Sequence, residues 1–167
     1  NNQTLDLTLR YTLYGGHRDA EVSVKVSSDE PISSTFCTGL IKLNNCQTYS
    51  DHKGTAAVWV DNWPERKKDT LGRKKEILGM AVKIPQRNVV GEPENAENMI
   101  YLLGEKARIL TKELAFSYHI AFASDKEQES KIHSAEEWFN WVKQWNKQEP
   151  LSVSLSTKAL EIVSKIE

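Results

Sequence analysis

The chain has 167 residues with 22 basic and 23 acidic side chains, so its formal charge of −1 offers no global attraction to nucleic acid or anionic membrane. At 39% hydrophobic and 27% charged, with five Trp, five Tyr and four Phe, it is too apolar for intrinsic disorder and too charged for a membrane protein. No apolar run approaches the roughly 20 residues that span a bilayer, so the expectation is one soluble domain over 1–167 without membrane insertion.

Residues 4–14 read Thr-Leu-Asp-Leu-Thr-Leu-Arg-Tyr-Thr-Leu-Tyr. Leu5, Leu7, Leu9, Tyr11 and Leu13 alternate with Asp6, Thr8, Arg10 and Thr12, a period of two that belongs to a strand. After Gly15-Gly16, Ala20, Val22, Val24 and Val26 alternate with Glu21, Ser23 and Lys25. Two such runs around a short glycine loop predict a β-hairpin with both apolar faces turned toward one core.

Asp29-Glu30-Pro31 marks a turn, and a strand is expected within 34–43. Turn chemistry recurs at Asn44-Asn45 and over Asp51 to Gly54. Short strands follow at Thr55 to Val60 and Glu76 to Ile84, with a long polar loop between them at Asp61 to Lys75.

Beyond Gln86 the pattern reads as helical. Pro93-Glu94 suits a helix start, and Ala96, Met99, Leu103, Ala107, Leu110 and Leu114 form one stripe, which predicts a helix over 93–114. Phe116, Tyr118, Ile120 and Phe122 alternate again as a strand. Asp125 to Lys131 is a charged connector. Ser134 and Glu137 have capping-box spacing, and Trp138, Trp141, Val142 and Trp145 share the face of the helix that follows, which Pro150 stops. Leu151, Val153 and Leu155 suggest a short strand, and Ala159 to Ile166 a last short helix.

The resulting fold class is α+β: a mainly antiparallel sheet of five to seven strands, opening with the hairpin, with two long helices packed on one face. Residues 1–90 are mostly strand, and 91–167 supply the helices and one or two more strands.

Chemistry is thinly marked. Arg66-Lys67-Lys68 and Arg73-Lys74-Lys75 place six basic residues in ten positions, near Trp59 and Trp63 for stacking on a base. Asp61, Glu65, Asp69 and Glu76 cut the charge of 61–76 from +6 to +2, so a solvated loop is the plainer reading. His17, Asp19 and Glu21 would share one face as a metal set or as an ordinary polar strand edge. Cys37 or Cys46 with His52 or His119, oriented by Asp51, could make a thiol site, but nothing local marks a nucleophile. The same cysteines suit a hairpin disulfide in an exported chain, or two reduced thiols packed as small hydrophobes.

The aromatic stripe Trp138, Phe139, Trp141 and Trp145 reads first as a core face and second as a partner-binding surface. The functional expectation is a non-catalytic binding protein that recognises a macromolecule, another protein in the first instance, through loops and the helix surface at Trp138, Trp141 and Trp145. The alternatives are nucleic-acid or acidic-partner binding through the loop 66–75 with Trp63, and an enzyme with a Cys/His site. No cofactor or metal is called for, and no compartment is indicated. A start at Asn1 rather than Met suits an exported mature chain or a fragment of a larger protein.

Overall fold

The structure is a computed structural model that describes residues 4–33, 35–43, 45–60, 76–104, 109–110 and 113–148. The basic segment 66–75, Trp63, and the elements expected over 151–155 and 159–166 lie outside the described residues.

In chain order the strands are β1 Leu5–Leu13, β2 Asp19–Ser28, β3 Ile32–Ser33, β4 Phe36–Ile41, β5 Gln47–Ser50, β6 Thr55–Val60, β7 Leu78–Lys83, β8 Val89–Gly91, β9 Asn98–Leu103, β10 Ile109–Leu110 and β11 Glu113–Ser124. One helix, α1 Ala135–Lys147, follows. The main sheet runs β1-β2-β11-β7-β6-β5 with every described pairing antiparallel, and a second sheet runs β4-β9-β8. A two-stranded ribbon joins β3 and β10.

The expectation of two long helices is overturned. Among the described residues only α1 is an α-helix, and most of the described residues of the proposed helix 93–114 are strand: β9 carries Met99 and Leu103, and Leu110 and Leu114 stand in β10 and β11. A second pattern was hidden there. Met99, Tyr101 and Leu103 point inward at period two, while the outward Ile100 and Leu102 are also apolar and blur the alternation. The stripe matched a period of 3.6 by coincidence of spacing.

Sheet alternation sorts the core into two layers. Ala56, Val58, Val60, Val82 and Ile84 face the second sheet, meeting Met99, Tyr101 and Leu103. Ala57, Trp59, Ala81, Ala121 and Ala123 face α1, meeting Trp138, Val142 and Trp145. The small residues on the helix side make room for the indoles. Trp138 is fully buried, its ring lies against Gly79, and its Nε1–H donates to the Val58 carbonyl at 3.1 Å.

α1 starts as the capping box predicts. Ser134 Oγ accepts from the Glu137 N–H at 3.2 Å, and Glu137 reaches back to the His133 N–H at 2.9 Å. At its other end Lys83 Nζ donates to the carbonyl of Trp145 (3.1 Å), which also accepts from the Gln148 N–H, and to the carbonyl of Gln148 (2.8 Å), placing a positive charge at the helix C-terminus.

The opening hairpin forms as expected, with Leu5 opposite Ser28 and Leu13 opposite Ala20. A Tyr14–His17 turn closes it, with Gly16 at φ +78°. The two apolar rows share one side of the sheet but not one fate. Val22, Val24 and Val26 are buried, whereas Leu7 (52%), Leu9 (46%), Tyr11 (56%) and Leu13 (75%) of β1 are exposed. The cause is position. Among the described strands β1 is the edge of the main sheet, and among the described residues of the second sheet only Phe36 packs on the valine row.

An alanine methyl at position 79 would lie 2.8 Å from two atoms of the Trp138 ring. Gly79→Ala is therefore expected to lose about 1–3 kcal/mol of unfolding free energy, as overpacked cores do. Gly15→Ala, with open space around it, should stay within about 0.5 kcal/mol of wild type. Urea denaturation of the two variants checks this, and equal midpoints would show that Gly79 does not limit the seating of α1.

Candidate functional site

Two surface features stand out: a cleft at one end of α1, and the edge strand β1.

The cleft encloses about 630 Å³ and is lined by Gly16, His17, Arg18, Asp19, Phe122, Glu127, Trp141, Trp145 and Gln148. The hairpin turn and the start of β2 supply the first four, β11 supplies Phe122, and the connector and α1 with its C-cap supply the rest. Arg18 closes one side. Its guanidinium contacts both Glu127 carboxylate oxygens (2.8 and 2.7 Å), the Ser130 hydroxyl (3.2 Å) and the Phe122 carbonyl (3.1 Å). Burial works to raise the Glu127 pKa, but the hydrogen bonds from Arg18 and from the Ser124 N–H outweigh it and hold the carboxyl below its ordinary value. The connector 125–131, which reads from sequence as solvated, is thus fastened to the first hairpin.

Asp19 lies between two imidazoles, 3.4 Å from His17 Nδ1 and 3.3 Å from His119 Nδ1. Glu21 stands opposite His119 in the β2–β11 register. Among the described residues no group of three or more His, Cys, Asp or Glu is placed to hold a metal.

The aromatic residues of α1 are largely committed to one another. Trp138 stacks on Trp141 at 5.2 Å and 4°, Trp141 stacks on Trp145 at 5.5 Å and 20°, and Lys83 Nζ sits 5.6 Å from the Trp145 ring centre. Burial pulls the Lys83 pKa down, against the opposing pull of Asp19. Trp141 thus stacks on both neighbours and is half-buried, and Trp138 and Trp145 are buried. Of the sequence-derived binding residues, Trp141 and Trp145 reach the cleft wall and Trp138 lies beneath it. Arg66, Lys67, Lys68, Arg73, Lys74, Lys75 and Trp63 lie outside the described residues.

The cysteines are apart from all this. Both are free: Cys37 is exposed, and Cys46 packs at the edge of the core between the sheets. Burial lifts the Cys46 thiol above its ordinary pKa, opposite to the shift that activates a nucleophile. His52 faces Glu92 at 3.3 Å and His119 faces Asp19.

The family model described as a domain of unknown function, DUF4861, matches residues 1–153. The chain belongs to the DUF4861 family. That match takes in both the cleft and β1, along with every strand and the helix described above. No curated protein and no solved structure matches the chain.

Arg18, Lys83 and Glu127 were not singled out by sequence reasoning. Arg18 and Glu127 are 109 positions apart, and no local pattern signals a pair brought together only by the β2–β11 register. The exposed row of β1 was read correctly as apolar, but its exposure depends on what lies above it.

The Arg18–Glu127 contact makes a pH prediction. Arg18→Met should lower stability at neutral pH by about 1 kcal/mol. Because the folded carboxyl titrates below its unfolded value, the contribution is whole above the ordinary glutamate pKa of 4.5 and is lost as the pH falls below it. The gap in thermal midpoint between wild type and variant should therefore close between about pH 6 and about pH 3. A constant gap across that range would mean the ion pair is energetically silent.

Proposed function

We propose that the domain is a non-catalytic binding module that recognises another protein by strand addition at β1. The carrying observation is an edge strand of nine residues that presents Leu5, Leu7, Leu9, Tyr11 and Leu13 to solvent. Edge strands of soluble proteins are ordinarily kept short, charged or covered, because an unpaired ladder of N–H and C=O groups recruits other strands. The opposite edge follows that rule: β5 has four residues, Gln47–Ser50, and its sequence QTYS is mostly polar. β1 departs from it in its length and its exposed apolar row, with Asp6 and Arg10 as its charges.

The ligand chemistry this favours is an extended polypeptide. Its main chain would pair with the outer edge of β1, and alternate apolar side chains would lie beside the leucine row. The cleft gives less support to a small-molecule reading. Its guanidinium pairs with the Glu127 carboxylate and the Phe122 carbonyl, its Asp19 carboxylate lies beside two imidazoles, and its two indoles are stacked together. The binding class expected from sequence is retained, with the surface moved from the helix to the edge strand.

A labelled nine-residue peptide alternating valine and threonine, with a lysine at each end, provides the test. Fluorescence anisotropy should show saturable binding to wild type. The Leu7→Asp, Leu9→Asp double variant should weaken it by at least about tenfold, a loss of about 1.4 kcal/mol. Unchanged far-UV circular dichroism controls for folding. Equal binding by both proteins would remove β1 from the site.

A further inference from the structure

We infer that the partner taken up by β1 is a second copy of the same strand, paired antiparallel about a two-fold axis through Thr8. The inference rests on the strand-addition reading and names its occupant. Asp6 and Arg10 are exposed, and within the chain they stand opposite neutral residues, Ser27 and Ser23. Of the charges diagonal to them, Lys25 pairs with Glu113 at 3.1 Å, and Glu21, diagonal to Arg10, stands directly opposite Thr12 and His119. Asp6 and Arg10 are four residues apart on an extended strand, about 13 Å, so they do not reach each other.

Self-pairing resolves both. Strand alternation first limits the register. A two-fold axis falling between residues would set apolar positions against polar ones, because a one-residue slip exchanges the faces of a strand. The axis must therefore pass through a residue. Through Leu9 it would leave Asp6 opposite Thr12 and Arg10 opposite Thr8. Through Leu7 it would leave Asp6 opposite Thr8 and Arg10 opposite Thr4. Through Thr8 it sets Asp6 of each copy opposite Arg10 of the other, giving two reciprocal ion pairs on one face. The same register sets Leu7 against Leu9 and Leu5 against Tyr11 on the other face, twice each. Opposite charges and apolar side chains directly across an antiparallel pair are both favourable, and like charges there are unfavourable. The interface is isologous, as a closed dimer requires, and it joins two six-stranded sheets into one.

Sedimentation velocity across a concentration series tests the inference. Wild type should show a monomer–dimer equilibrium. Asp6→Arg alone or Arg10→Asp alone places like charges opposite each other twice, and each should weaken dimerisation by about tenfold or more. The double reversal Asp6→Arg, Arg10→Asp should return it to within a few-fold of wild type. In a Cys37→Ser, Cys46→Ser background, Thr8→Cys should form a disulfide-linked dimer under mild oxidation and Arg10→Cys should not, since only the residue on the axis meets its own copy. A protein that stays monomeric while still binding the valine–threonine peptide would overturn self-pairing and leave strand addition standing. Failure of both would overturn both. A dimer indifferent to the charge reversals would place the contact on another surface.

Discussion

Trp138 seats against the main sheet because Gly79 has no side chain, and the rest of the molecule is arranged around that contact. The indole fills the space over a floor of alanines and a glycine, and its one polar atom is satisfied by the Val58 carbonyl. With Trp138 fixed, Trp141 and Trp145 stack in series, and the end of the helix arrives beside Lys83. A hydrogen-bonded relay from Thr55 through Asn146 to Asp51 ties the same end to the β5–β6 turn. The cleft is the space left where this helix end meets the first hairpin, and Arg18 closes it.

The same contact limits what can be covered. A helix is about 10 Å across and neighbouring strands lie about 4.8 Å apart, so one helix shields roughly two strands. α1 lies over β6 and β7. The uncovered part of that face is polar along β1 and β2, with Asp6, Thr8, Arg10, Glu21, Ser23 and Lys25, and can face water. On the other face the second sheet shields the middle of the main sheet, and its contact with the β2 valines comes through Phe36. β1 falls beyond that shelter with its apolar row intact. Alternation built for burial on a strand the described fold leaves open is a conflict between local pattern and global structure, and such conflicts tend to mark functional surfaces.

Much of the fold could be read from the chain because period two is unambiguous where the outward residues are polar. The hairpin follows from it; β6 and β7, apolar on both faces, are read instead as short apolar runs between turn signals, and the start of α1 from the capping-box spacing of Ser134 and Glu137. The reading failed at 93–114, where outward Ile100 and Leu102 erased the contrast on which period detection depends. Sequence also assigned Trp138, Trp141 and Trp145 to one helical face, but not the stacking of Trp141 on the other two. The cleft was less legible still: Arg18 and Glu127 meet through sheet register, which no local window contains. For β1 the side chains were legible and their exposure was not, since exposure depends on the reach of other elements.

Amide hydrogen exchange of residues 4–14, followed by mass spectrometry over a range of protein concentrations, addresses the pairing of β1 most directly. Amides of β1 that point toward β2 are protected by the hairpin at any concentration. Those that point outward gain a partner only when another strand adds. The account predicts a second set of protected amides in this peptide that grows with concentration and follows the population of dimer. Outward amides that exchange at the rate of open chain at every concentration, while the rest of the sheet stays protected, would contradict it.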